Sequence, residues 1–300
     1  MASEIQDLIA RERLPADFEP TTLAHYRAIA EWIAARRRMR GAPILVGCSG
    51  PQGSGKSTLA LFLEALLRPM GPFAVARLSI DDLYLTRRER EALGAAVHPL
   101  LVTRGVPGTH DIDLGVALID RLMTAAPGDV TPIPQFDKAT DTRAPEAAWP
   151  RFEGRADIVL LEGWCVGATP TPDGELADPI NDLERFSDPD LVWRRYVNAQ
   201  LEGPYRRLFG RIDALVAVQA DDFDCVLGWR TEQEHKLAAR LKADPRAGDA
   251  RVMSDEAIRT FIMHYERITR ALLKTMPDQA DVVVDLDPDR TIRAVRMRTS

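Results

Sequence analysis

The segment Gly50-Pro51-Gln52-Gly53-Ser54-Gly55-Lys56-Ser57-Thr58 decides how the rest of the chain is read. It fits the pattern GxxxxGK[ST]. Its glycines let the backbone wrap closely, so successive N–H groups can point at phosphate oxygens. The Lys56 ammonium is placed to reach the β- and γ-phosphates of a nucleotide, and the Ser57 hydroxyl suits a Mg²⁺ ion. Gly50, Gly53, Ser54, Gly55, Lys56, Ser57 and Thr58 are therefore the candidate nucleotide-binding residues. The flanks agree. The apolar run from Ile44 to Val46 reads as a buried strand ending near Ser49. After the loop, a helix from Lys56 to about Leu67 turns its positive N-terminal end toward the same phosphates and stops at Pro69 and Gly71.

Further apolar runs lie outward from this core. Phe73 to Ile80, Ile158 to Leu161, Leu215 to Val218 and Val282 to Val284 read as strands, and Ile158–Leu161 lacks alternation, as a strand covered on both faces does. Helical stretches separate them: 22–40, one opened by a Thr86–Glu89 capping box, one capped by Asp111, then 224–243 and 254–276. This alternation predicts an α/β fold, a parallel sheet flanked by helices. With no repeat and no long linker, residues 1–40 read as an N-terminal helical extension and 41–300 as one nucleotide-binding domain. The Pro- and Asp-rich segments 126–150 and 167–190 read as insertions beside the site.

Bulk properties exclude several classes. A net charge of −6 argues against broad nucleic-acid or membrane-surface binding. The basic cluster Arg36, Arg37, Arg38 and Arg40 closes a helix just before Gly41, where cations suit the negative end of the dipole. Cys48, Cys165 and Cys225 form no CxxC pair, and the five histidines show no metal-ligand spacing. The N-terminus lacks the basic start and apolar run of a signal peptide, and no stretch of about eighteen apolar residues exists, so the expectation is a cytoplasmic protein. Oligomeric state is left open.

Two carboxylate groups narrow the chemistry. The second strand runs into Ser79-Ile80-Asp81-Asp82-Leu83-Tyr84, at the sheet edge where an open parallel sheet binds its ligand. An aspartate there can orient an acceptor hydroxyl and take its proton, and Asp81 is the candidate, with Asp82 left to structure or to the metal shell. The run Ile158–Leu161 ends in Glu162-Gly163-Trp164, where Glu162 has the character of a Walker-B carboxylate supporting Mg²⁺. No Asn-Lys-x-Asp guanine signature occurs, which counts against a GTPase switch.

The phosphate loop, Ser79–Tyr84 and Leu161–Trp164 together resemble the P-loop kinase branch that holds phosphoribulokinase, uridine kinase and pantothenate kinase. Other segments resemble the D-glycerate 3-kinase family more specifically. These are Thr103–Asp111, Pro134–Lys138 with Arg143, Glu162–Gly167, Trp229-Arg230 with Gln233 and Glu234, Met253–Asp255 and Tyr265–Arg267. The resemblance covers about residues 43–288 and departs from plant members at the short Ala139–Arg143 loop. It implies a P-loop NTPase kinase fold with five parallel strands, acceptor-site insertions at about 81–155 and a helical lid at about 222–255. It also implies transfer of the ATP γ-phosphate to a hydroxyl of glycerate with Mg²⁺, with Lys56, Asp81 and Arg230 as catalytic residues. A carboxylate acceptor needs fixed cations, for which Arg104, Lys138, Arg143 and Arg267 are candidates, with Tyr84 and His110 able to bond hydroxyls. Another small acceptor (a nucleoside, pantothenate or a sugar phosphate) and an ATP-driven switch are the alternatives.

Overall fold

In the computed structural model, residues 2–14, 18–243 and 252–298 are described. The strands are β1 (Ile44–Ser49), β2 (Val75–Ser79), β3 (Val130–Pro132), β4 (Phe136–Asp137), β5 (Thr142–Arg143), β6 (Arg151–Glu153), β7 (Ile158–Gly163), β8 (Ala214–Gln219), β9 (Val282–Leu286) and β10 (Ile292–Met297). The helices used below are α1 (Ala2–Glu12), α2 (Phe18–Arg40), α3 (Lys56–Leu67), α4 (Arg87–Ala96) and α5 (Ile112–Thr124). Four shorter helices follow, α6 (Asp173–Leu176), α7 (Asp182–Ser187), α8 (Val192–Gln200) and α9 (Arg206–Phe209), and then the long α10 (Phe223–Ala243) and α11 (Asp255–Gln279).

The main sheet has six strands in the order β10-β9-β8-β1-β7-β2. Five run parallel, as β1 pairs with β7 and β8, β2 with β7, and β8 with β9. Every residue of β1, β7 and β9 is buried, so each strand is covered on both faces and its apolar run shows no alternation. The sixth strand is a correction to the five expected: β10 is antiparallel to β9 at the sheet edge. Its short Ile-Arg-Ala-Val-Arg-Met run is only half-buried, and a half-exposed edge strand carries a weak sequence signal.

β1 lies between β7 and β8, neither its sequence neighbour, so the chain leaves β1 beside a crevice at the carboxyl ends of the strands. The phosphate loop and α3 begin there. Two small antiparallel pairs, β3 with β6 and β4 with β5, project beyond the sheet within the expected acceptor segment. At the opposite sheet edge, α2 is fastened by arginines to aspartates that immediately precede strands. Arg37 pairs with Asp157 at 2.6 Å, Arg36 with Asp281 at 3.0 Å, and Arg40 with Asp213. Residues 244–251 of the expected lid lie outside the described residues.

Candidate active site

The phosphate loop owes its shape to two glycines in the left-handed region, Gly53 at φ +77° and Gly55 at φ +84°. At Gly53 a second demand applies, because a Cβ there would lie 2.7 Å from the Cβ of Trp229. The first turns of α10 therefore rest directly on the loop. The Ser54 hydroxyl is buried without a partner among the described residues, and Gln52 likewise leaves its amide atoms unpaired. Lys56 is half-buried at the start of α3, followed by Ser57 and Thr58.

Parallel register brings the carboxylates beside this loop. Cys48 of β1 and Ser79 of β2 both stand opposite Glu162 of β7. The buried Glu162 carboxylate accepts the Ser57 hydroxyl at 3.0 Å. Beyond β2 the chain turns through a short 3₁₀ segment, Ile80–Leu83, whose start is capped by the Ser79 hydroxyl. Asp81 there accepts the Tyr84 hydroxyl on Oδ1 and the Lys138 ammonium on Oδ2, both at 2.8 Å. Burial alone pushes the Asp81 carboxyl up, but the charges of Lys138 and Lys56 and the Tyr84 bond outweigh it and hold the group at about 2. Asp82 has a structural bond of its own. Its carboxylate accepts the Phe136 N–H at 3.0 Å and so ties β4 to the end of β2, while burial and the neighbouring Asp81 raise its pKa.

The acceptor side is an aromatic and cationic wall. Tyr84 is buried, stacked on His110 with centroids 4.5 Å apart, and meets Phe136 edge-on at 5.2 Å. His110 Nδ1 shares a 2.5 Å hydrogen bond with the Tyr205 hydroxyl, its Nε2 is buried and unpartnered among the described residues, and burial lowers its pKa to about 4. Arg143 donates to the Tyr84 carbonyl at 3.2 Å and pairs with Asp111 at 3.4 Å. Arg104 pairs with Asp141 and lies over the Phe136 ring. The loop carrying Arg104 is clamped from two sides. Tyr265 donates to the Arg104 carbonyl, and Trp164 donates to the Gly105 carbonyl, both at 3.0 Å. Gly105, at φ +136°, has no room for a Cβ because the Tyr265 hydroxyl fills that space.

The structure thus brings together Lys56, Ser57, Asp81, Tyr84, Arg104, His110, Lys138, Arg143 and Glu162 around one sheet edge. Arg267, expected as an acceptor-site cation, is engaged elsewhere. Its guanidinium binds the fully buried Glu184 at 2.6 Å and donates to the Glu175 and Asp178 carbonyls at 2.7 Å, so it fastens α11 to the α6–α7 segment. Arg230 sits on α10 next to Trp229, paired with Glu234 at 2.7 Å and 5.8 Å from the centroid of Phe261. Sequence reasoning missed Arg90 and Tyr205. Arg90 is 1% exposed and donates to the carbonyls of Leu85, Val102 and Asp141 while pairing with the Asp141 carboxylate at 2.8 Å. Tyr205 could have been found from the helical spacing of Trp193, Val197, Leu201, Tyr205 and Leu208, all buried, whereas Arg90 lies in no local pattern that marks burial.

A phosphate loop at the switch point of a parallel sheet, with a hydroxyl–carboxylate pair behind it and a charged aspartate before it, defines a P-loop kinase: an ATP-dependent phosphotransferase acting on an alcohol group. No family model matches the chain. The kinase mug58 of Schizosaccharomyces pombe, itself described as uncharacterized, is 32% identical over 245 residues, covering 79% of this chain and 83% of that protein. The chloroplastic D-glycerate 3-kinase of Arabidopsis thaliana is 32% identical over 257 residues, which is 83% of this chain and 52% of that longer protein. The solved structure of a D-glycerate 3-kinase from Cryptococcus neoformans has the same fold, with a TM-score of 0.72 at 24% identity, covering 92% of this chain and 98% of that one. The chain belongs to the same family of P-loop kinases as mug58.

Proposed function

We propose that this chain transfers the γ-phosphoryl group of ATP to a hydroxyl of D-glycerate. The observation that carries the reading is Asp81, a carboxylate at a strand end beside the phosphate loop, facing a wall that carries Lys138, Arg104 and Arg143. A proton-accepting carboxylate suits an alcohol, and surrounding cations suit an acceptor that is itself an anion. The relatives named as D-glycerate 3-kinases point to the same acceptor.

The loop glycines and the N-terminus of α3 hold the phosphates, and the orphaned Ser54 hydroxyl gains a phosphate oxygen as its partner. Ser57 and Glu162, a hydroxyl and a carboxylate 3.0 Å apart, are hard oxygen donors of the kind that hold Mg²⁺ together with phosphates and water. Bound there, Mg²⁺ would neutralise phosphate charge. Asp81 orients the acceptor hydroxyl and takes its proton as the new oxygen–phosphorus bond forms, and the bridging oxygen leaves with ADP. Helix α10 serves as the lid. Trp229 already touches Gly53, and Arg230 beside it supplies positive charge as water is excluded. The three free cysteines, two of them buried, support a reducing, cytoplasmic setting.

The test is ADP release with Mg-ATP across D-glycerate, pantothenate, nucleosides and sugar phosphates, with the product identified by mass. Phosphoglycerate is the expected product. Turnover of another acceptor without glycerate, or hydrolysis alone, would sink the assignment. Asp81→Asn is expected to cut kcat by a factor of roughly 10² or more while ATP binding persists.

A further inference from the structure

The aspartate that must accept a proton is held in the state least suited to doing so. Lys138 and Tyr84 occupy its two oxygens at 2.8 Å each. The two partners differ in their freedom to leave. Tyr84 is 3% exposed and fixed by its stacking on His110 and its edge contact with Phe136. The Lys138 side chain is 62% exposed at the turn of the β4–β5 hairpin. The hairpin itself is held elsewhere, by Asp82 at the Phe136 N–H and by Arg90 at Asp141. The Lys138 ammonium can therefore swing on its flexible stem while the hairpin stays in place.

The other cations of the wall lack that freedom. Arg104 is engaged by Asp141, and Arg143 by the Tyr84 carbonyl and Asp111. An arriving acceptor carboxylate thus finds one exposed ammonium that can exchange one anion for another at little net Coulomb cost.

We propose that Lys138 is a substrate-released gate on Asp81: the carboxylate of the acceptor draws the ammonium off Asp81, and Asp81 then takes the acceptor's hydroxyl proton. The identity of the acceptor rests on the glycerate reading, whereas the gate rests on the Asp81–Lys138 contact. In the transfer step the hydroxyl proton moves to Asp81 and the acceptor oxygen bonds to the γ-phosphorus. The bond to the bridging oxygen breaks, and its electron pair leaves with ADP. Water or an alcohol without a carboxylate leaves Lys138 in place, so the enzyme withholds its base from both. Specificity then comes from activation of the base as well as from binding.

The test compares wild type with Lys138→Met and Lys138→Arg, measuring ADP release from Mg-ATP alone, with D-glycerate, and with glycerol, which keeps the hydroxyls and lacks the carboxylate. In Lys138→Met, acceptor-free hydrolysis and glycerol turnover are expected to rise roughly tenfold, part of the range a positioned base supplies, while kcat/KM for glycerate falls. Lys138→Arg is expected to restore low hydrolysis. The gate is overturned if Lys138→Met loses glycerate turnover with hydrolysis and glycerol use unchanged, because Lys138 then only holds the carboxylate. If wild type ignores glycerate and Lys138→Met still gains hydrolysis, the gate stands and the acceptor assignment falls.

Discussion

His110 carries a conflict that pH exposes. Its imidazole is buried against Tyr84 and Tyr205, which lowers its pKa from 6.5 to about 4. Between those values the unfolded chain binds a proton that folded His110 refuses, so stability falls as pH falls through that window. The expected loss is on the order of 1–3 kcal/mol at pH 4. Asp81 does not contribute there. Its stabilisation is present above the ordinary carboxylate value of 3.8 and is lost only as pH drops toward about 2. Urea unfolding of wild type and His110→Gln at pH 7 and pH 4.5 checks this. The variant is expected to lose less stability between the two pH values, and an equal loss in both would place the titration elsewhere, for instance on buried His264.

Helix α4 shows what an element reveals in sequence and what it hides. Its capping box was legible because Thr86 and Glu89 interact across one turn, and both reciprocal bonds form. Arg90, one residue further on, reads locally as one more exposed charge in an Arg-rich helix. Its burial depends on the Pro99–Val102 turn just after the helix and on the β4–β5 hairpin, whose Asp141 lies 51 residues away. Asp141 shows the same limit. It takes a positive φ of +55° in the tight hairpin turn and pairs with both Arg90 and Arg104, which gives the short Ala139–Arg143 loop a fixed shape. Arg90→Met is expected to leave three carbonyls and a carboxylate without their cation, at about 3 kcal/mol of stability. Because Asp141 also holds Arg104 on the acceptor wall, KM for the acceptor is expected to rise more than KM for ATP. Denaturant unfolding with the two KM values measures both effects, and equal shifts in the two KM values would separate Arg90 from the acceptor wall.

Across the whole molecule, acidic residues stand at both ends of the sheet's strands, and position relative to the apolar run decides their task. Asp81 follows β2 and Glu162 lies in the last residues of β7, both at the crevice, which made the chemistry readable from the sequence. Asp157, Asp213 and Asp281 precede β7, β8 and β9, and each accepts a backbone N–H at the start of a neighbouring strand, from Ala74, Leu45 and Leu215 respectively. The second oxygen of each meets an arginine of α2. The basic cluster that the dipole argument placed at a helix end is thus also the clasp that holds α2 across the sheet. Sequence could not show this, because the two halves of each pair lie more than a hundred residues apart. The clasp and the active site sit at opposite ends of the same strands, so stability and catalysis should separate. Arg37→Ala removes the most enclosed pair, with side chains 13% and 18% exposed, and is expected to lower unfolding free energy by about 1–2 kcal/mol, between surface and buried ion-pair values. Below the unfolding transition, kcat and both KM values are expected to match wild type. A fall in kcat at full folding would mean that the clasp sets strand positions all the way to Asp81 and Glu162.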